Sequence, residues 1–173
     1  NKWLNGENST VVSGADLIPT YRTVAFADWT RHRGQLQFIA EDNPNQPEFF
    51  APRMIESVEL NKLGRETKTR VFPVKEEGNT VALYLALKTV HAGGVAIFCG
   101  KKATASSICE NAADIYAHGF GMPSPATMSD PAELARLCHQ HEANLGADAI
   151  ATRSAGLGIF AHHGNIPHGI RLT

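Results

Sequence analysis

Several groups of residues in this chain of 173 residues carry types and spacings that bear on chemistry. The first is GGVAIFCGKKATASS, where an apolar run ends in Gly100, Lys101 and Lys102 and leads to Thr104, Ser106 and Ser107. A strand that delivers Gly and Lys to the start of a helix is a way to hold an anion, because the free N–H groups of the helix N-terminus point at it. The nucleotide-binding P-loop asks for more. It needs four residues between its glycines for the backbone cradle, and a Ser or Thr after the lysine for Mg²⁺. Here five residues separate Gly94 from Gly100, and Lys102 stands in the hydroxyl position. The pattern suits a nucleic-acid phosphate better than a nucleoside triphosphate, with two point charges, hydroxyls and backbone donors side by side.

Eight histidines invite a metal reading, with Cys138, His139 and His141 in one cluster and His162, His163 and His168 in another. On a helix, positions 138 and 141 share a face while 139 points elsewhere, and neither cluster matches HExxH or a paired Cys/His finger. Exposed or hydrogen-bonded imidazoles are the simpler account. Arg153 and Ser154 precede a lone Gly-x-Gly, which reads as a turn. Glu76 and Glu77 sit in a polar stretch that reads as solvated surface. No Ser-centred elbow and no spaced Cys/His pair is present, so the sequence offers no catalytic residue and no metal ligand set.

The elements that must position these residues follow from periodicity. Residues 1–20 hold a Trp3-Leu4 clump, a short β-prone stretch at 10–12 and breakers at Gly14 and Pro19, and read as a tail or connector. Residues 21–40 alternate with period two on either side of Arg31-His32-Arg33-Gly34, which predicts a β-hairpin. Residues 42–53, with three prolines, predict a surface loop in which Phe49 and Phe50 tuck against something apolar. Asn79 is the expected cap of a helix carrying Val81, Leu83, Leu85 and Leu87, stopped by Gly93 and Gly94. The run VAIFC then predicts a buried parallel strand. A second helix with Ala105, Ile108, Ala112, Ile115 and Tyr116 closes at Gly119. A third starts from Asp130, with Pro131 at its first position and Glu133 completing a capping box, and bears a Leu134, Leu137, Cys138, Leu145 stripe. A short helical stretch over 147–154 leads to a second buried strand, GIFAHH. Two buried strands joined through helices point to a parallel α/β sheet.

Composition bounds the rest. Hydrophobic residues make up 43% and charged residues 19%, values that argue for a folded chain and against disorder. The net charge of −1 means that nucleic-acid contact must come from a local basic patch. Cys99, Cys109 and Cys138, odd in number and without a CxxC pair, favour a reducing, cytoplasmic setting. The longest apolar run, 93–99, is far too short to cross a bilayer, and no membrane partner is expected.

Two segments together resemble a family. VAIFCGKKATASSICENAADIY is similar to the fourth motif of superfamily-two helicases, of DEAD/DEAH-box kind. GIFAHHGNIPHGIRL is similar to the His-His-x-Gly stretch of their Ski-type branch. The opening run WLNGENSTVVSGADLIPTYRTVAF resembles the connection between the two motor domains. The resemblance implies that 1–20 is a linker from the first RecA-like domain and that 21–173 is the N-terminal part of the second. It implies a RecA-like parallel sheet with flanking helices, as a partial domain, plus the antiparallel hairpin. By resemblance the parent is an ATP-dependent helicase or translocase, using ATP and Mg at sites outside this chain. Residues 41–78 and 119–153 carry none of the family's motifs, and the P-loop, acidic Mg²⁺ motif and arginine finger have no counterpart here.

The implied role is a grip on the backbone of DNA or RNA through Gly100, Lys101, Lys102, Thr104, His162, His163 and Gly164, coupled to the remainder of the helicase. The chain departs from the family at Asn165, Ile166 and His168, and one of the paired imidazoles has an equally weighted structural reading, pinning the following turn by hydrogen bonds. Two other classes stand beside the helicase reading. One is a non-catalytic α/β module that docks a protein through the hairpin edge near residues 21–40. The other is a metal-dependent hydrolase built on His162, His163 and His168.

Overall fold

The computed structural model describes residues 23–170 apart from 31, 32, 41, 44, 165, 168 and 169. The expected tail over 1–20 lies outside the described residues. The hairpin forms as the alternation predicts. β1 (Val24–Thr30) pairs antiparallel with β2 (Arg33–Ile39), in a register that sets Phe26 opposite Gln37 and Ala27 opposite Leu36.

A third strand joins them where the sequence reads as a loop. β3 (Pro47–Glu56) pairs antiparallel with β2 and takes the sheet order β1-β2-β3. Its prolines are tolerated for a positional reason: Pro47 is the first strand residue, and Pro52 lies in an irregularity where the register jumps between Gly34/Ile55 and Leu36/Ala51 on an edge strand. Arg53 there takes a left-handed φ of 57°. Phe49 does find an apolar partner, stacking on Phe38 at 4.4 Å between ring centroids, while Phe50 stays half exposed.

β4 (Val58–Leu60) and β5 (Arg70–Phe72) form a second, two-stranded antiparallel sheet. α1 (Gly78–Thr89) follows, with Leu83, Tyr84 and Leu87 on its buried face. Its start is not capped by Asn79. Glu77 is the extended residue ahead of the helix, and Thr80 fastens the turn, its Oγ1 accepting the Val74 N–H at 2.9 Å and lying 2.9 Å from the Glu77 carbonyl. α2 (Lys102–Ala117) and α3 (Pro131–Leu145) appear where periodicity places them. The Asp130 carboxylate accepts the Glu133 N–H at 2.9 Å, while the Glu133 carboxylate turns to Arg136 instead of completing the box. α4 is Ile150–Ala155.

The core lies where β3, β4 and β5 meet α1 and α2. Ile55, Leu60, Phe72, Leu83, Leu87, Ile108, Ala112 and Ile115 are buried there beside Phe120. Phe120 meets Phe72 edge-on at 5.1 Å and Tyr84 at 6.4 Å, geometries in which the ring edges face the π-clouds. The molecule is thus mixed α and β with antiparallel sheets, and no parallel pair forms among the described residues. Residues 95–99 and 158–163, expected as buried parallel strands, carry no strand pairing. An apolar run is buried only where another strand or layer covers it, and Phe98, at 96% exposure, has no such cover.

Candidate functional site

The two unpaired stretches nevertheless meet. Residues 95–102 and 158–163 line the two sides of one trough of about 580 Å³, floored by Leu83 and Leu87 of α1 and by Ile108 of α2. Gly100, Lys101, Lys102, His162 and His163 all line it. Lys102 also reaches Gly164: its Nζ lies 3.7 Å from where a β-carbon on Gly164 would sit. Six of the seven expected contact residues therefore gather from positions about sixty apart in the chain. Thr104 is set apart from them, half-buried in the first turn of α2 and away from the trough.

The electrostatics of this end are one-sided. Lys101 is the extended residue ahead of α2 and Lys102 its first residue; neither a side-chain cap nor an acidic residue occupies the first turn. Two lysines thus occupy the N-terminal end of a helix, an arrangement unfavourable to the isolated helix and favourable to an anion. Among the described residues no carboxylate lines the trough, so its formal charge there comes from the two lysines. Apart from the lysines, His162 and His163, the lining is mainly apolar, with Val95, Ile97, Phe98, Ile159 and Phe160 prominent.

The loop after 158–163 is shaped by backbone. Gly158 takes φ +77°, and a β-carbon there would come within 2.5 Å of the Ala126 nitrogen, so only glycine permits this turn against the Pro125–Met128 3₁₀ segment. The Ile166 N–H donates to the His163 carbonyl at 3.0 Å, closing the turn after the paired histidines, and Ile166 is buried. His162 is exposed and His163 half-buried. Asn165 and His168 lie outside the described residues.

Other candidates do not assemble. Among the described residues no three His, Cys, Asp or Glu side chains come together as a metal site. In the first histidine cluster His141 is buried against Phe160, its Nδ1 2.9 Å from the Leu137 carbonyl, while His139 faces solvent. Cys99 and Cys109 both line the trough, and burial pushes the Cys109 thiol up, away from nucleophilic use. Among the described residues no helix is long and apolar enough to cross a membrane.

One charged cluster was not legible in the sequence. His118, at 3% exposure, has Nδ1 2.7 Å from the Asp114 carbonyl and Nε2 3.1 Å from Glu66 Oε1. Asp114 is i−4 on the same helix, which periodicity shows, but Glu66 arrives from a loop fifty-two residues away. Compared with protein-family models, with curated proteins and with solved structures, the chain matches none.

Proposed function

We propose that this chain is part of a superfamily-two, Ski-type helicase and that it supplies one grip on the nucleic-acid backbone together with coupling to the rest of the motor. The observation that carries this reading is the convergence of Gly100, Lys101 and Lys102 with His162, His163 and Gly164 on one rim that holds no carboxylate among the described residues. Lys101 and Lys102 would meet phosphates as point charges, and Gly164 would leave room for the backbone to approach. Charge of one sign at a helix N-terminus binds phosphate without reading bases, which is what a motor needs from a strand that it moves.

The same reading accounts for the trough. Residues 95–99 and 158–163 would be parallel strands of a RecA-like sheet, and the apolar space between them is suited to a neighbouring strand that completes it. Hydrolysis of ATP with Mg at sites outside this chain would supply the free energy for alternating grip and release, and this chain is not expected to hydrolyse ATP alone.

The test is a titration of a labelled single strand at low and high salt, with the wild-type chain and with Lys101→Glu, Lys102→Glu. Salt-sensitive binding that the variant weakens supports the grip. Absence of binding, or binding indifferent to salt and to the variant, would remove it. A docking role for the hairpin is the second reading, favoured by β1 being an edge strand among the described residues, with Val24 and Phe26 at 58% and 60% exposure.

A further inference from the structure

The connection between β4 and β5, with the first residue of β5, reads NKLGRETKTR over positions 61–70. It holds Lys62, Arg65, Lys68 and Arg70 against one carboxylate, Glu66, in a chain whose net charge is −1. All ten positions are exposed. The loop is nevertheless fastened to the C-terminal end of α2. The Asn61 N–H donates to the His118 carbonyl at 2.9 Å and Arg70 forks onto the Asp114 carboxylate, while within the loop Lys62 Nζ donates to the Thr67 carbonyl at 2.9 Å.

What these bonds do to the loop's charge is specific. Glu66 is turned inward: Oε2 accepts the Leu63 N–H at 3.0 Å, and Oε1 faces Nε2 of the buried His118 at 3.1 Å. Arg70 is matched by Asp114. Arg65 and Lys68 make no ion pair among the described residues. The single acid is therefore engaged by the Leu63 N–H and His118, and the loop cations that make no ion pair among the described residues are Lys62, Arg65 and Lys68.

We propose that the 61–69 loop is a second contact for a nucleic-acid backbone, with Arg65 and Lys68 taking phosphates and Lys62 adding charge beside them. The identity of the polyanion rests on the helicase reading above. Composition favours a phosphate backbone over an acidic protein surface, because the loop has no aromatic residue and is rich in lysine, which protein interfaces deplete. Its place relative to the first grip is also defined. The Lys101-Lys102 rim and this loop stand at opposite ends of α2, whose sixteen residues span about 24 Å, a distance that a single strand of modest length spans.

The experiment is a fluorescence-anisotropy titration of a labelled single-stranded oligonucleotide across a salt series. It uses the whole chain as wild type, as Arg65→Glu, Lys68→Glu, as the neutral Arg65→Gln, Lys68→Gln, and as Lys101→Glu, Lys102→Glu. Both loop variants alter exposed, unpaired side chains, and their circular dichroism melts verify the fold. The expected result is a roughly tenfold loss of affinity for the charge-reversed loop and a salt slope lower by about 0.7 for each phosphate contact removed in the neutral variant. Unchanged affinity and slope in both loop variants, with the rim variant weakened, would overturn this proposal and leave the first grip standing. Weakening by the loop variants alone would uphold it and remove the rim. A wild-type chain that binds no strand would overturn both. Loop variants that lose affinity for poly-glutamate but not for the oligonucleotide would overturn it in favour of an acidic protein partner.

Discussion

His118 is the residue whose chemistry most depends on its surroundings. Its Nδ1 faces a carbonyl, which only accepts, so that nitrogen carries a proton; its Nε2 lies 3.1 Å from Glu66 Oε1 and 3.2 Å from Arg70 Nη1. A protonated ring donates to Glu66, and a neutral ring accepts from Arg70. The bond to the Asp114 carbonyl, then the Glu66 carboxylate, holds His118 above its ordinary value of 6.5. The Leu63 N–H, then His118, holds Glu66 below its ordinary 4.5. The stabilisation from a raised His is full below 6.5 and is lost as pH climbs through the folded value; that from a depressed Glu is full above 4.5 and is lost as pH falls through its folded value. The pair therefore contributes most in mildly acidic solution. Melting temperatures of wild type and Glu66→Gln measured from pH 5 to 9 should converge as pH rises, and a gap that stays constant would refute the linkage. Gly158 gives a second prediction at this scale. Gly158→Ala combines a left-handed φ with a backbone collision and should cost about 2 kcal/mol or more, read by urea denaturation.

Elements differ in how far local chemistry alone fixes them. α3 begins where Asp130 and Pro131 say that it should, because a cap side chain bonding three residues on and a proline at the first helical position act within one turn. Asp130→Ala should cost about 1 kcal/mol and Asp130→Asn much less, a pair that chemical denaturation separates. α2 ends at Ala117, with Gly119 at φ +73° just beyond, as its spacing predicts. β3 was hidden by Pro47 and Pro52, whose turn-forming habit is suspended at a strand start and at an edge irregularity. β4 and β5 are three residues each, too short for alternation to register, and the pairing of Val58 with Phe72 across a nine-residue loop creates them.

At the scale of the molecule, the apolar run 95–99 lies half open beside a trough, with Ile97 and Cys99 packed against the core and Phe98 turned to solvent. Phe98 touches little, so Phe98→Asp should shift stability by less than about 0.5 kcal/mol. The same change should lower self-association measured by sedimentation, since an exposed apolar run beside an open groove is an association surface. A large loss of stability in that variant would show that the side chain is covered in solution.

The sequence by itself determined the hairpin, α2 and α3, because alternation, helical spacing and capping act over a few residues. Only the tertiary structure decided that Lys102 stands against Gly164, that Glu66 is turned in to His118 so that the 61–69 loop shows cations to solvent, and that Phe98 within 95–99 is open while Ile97 and Cys99 are half-buried against the core. Each of these depends on what a residue meets from tens of positions away. Composition reports that a segment is apolar or charged, but burial and pairing belong to the partner that the fold brings to it.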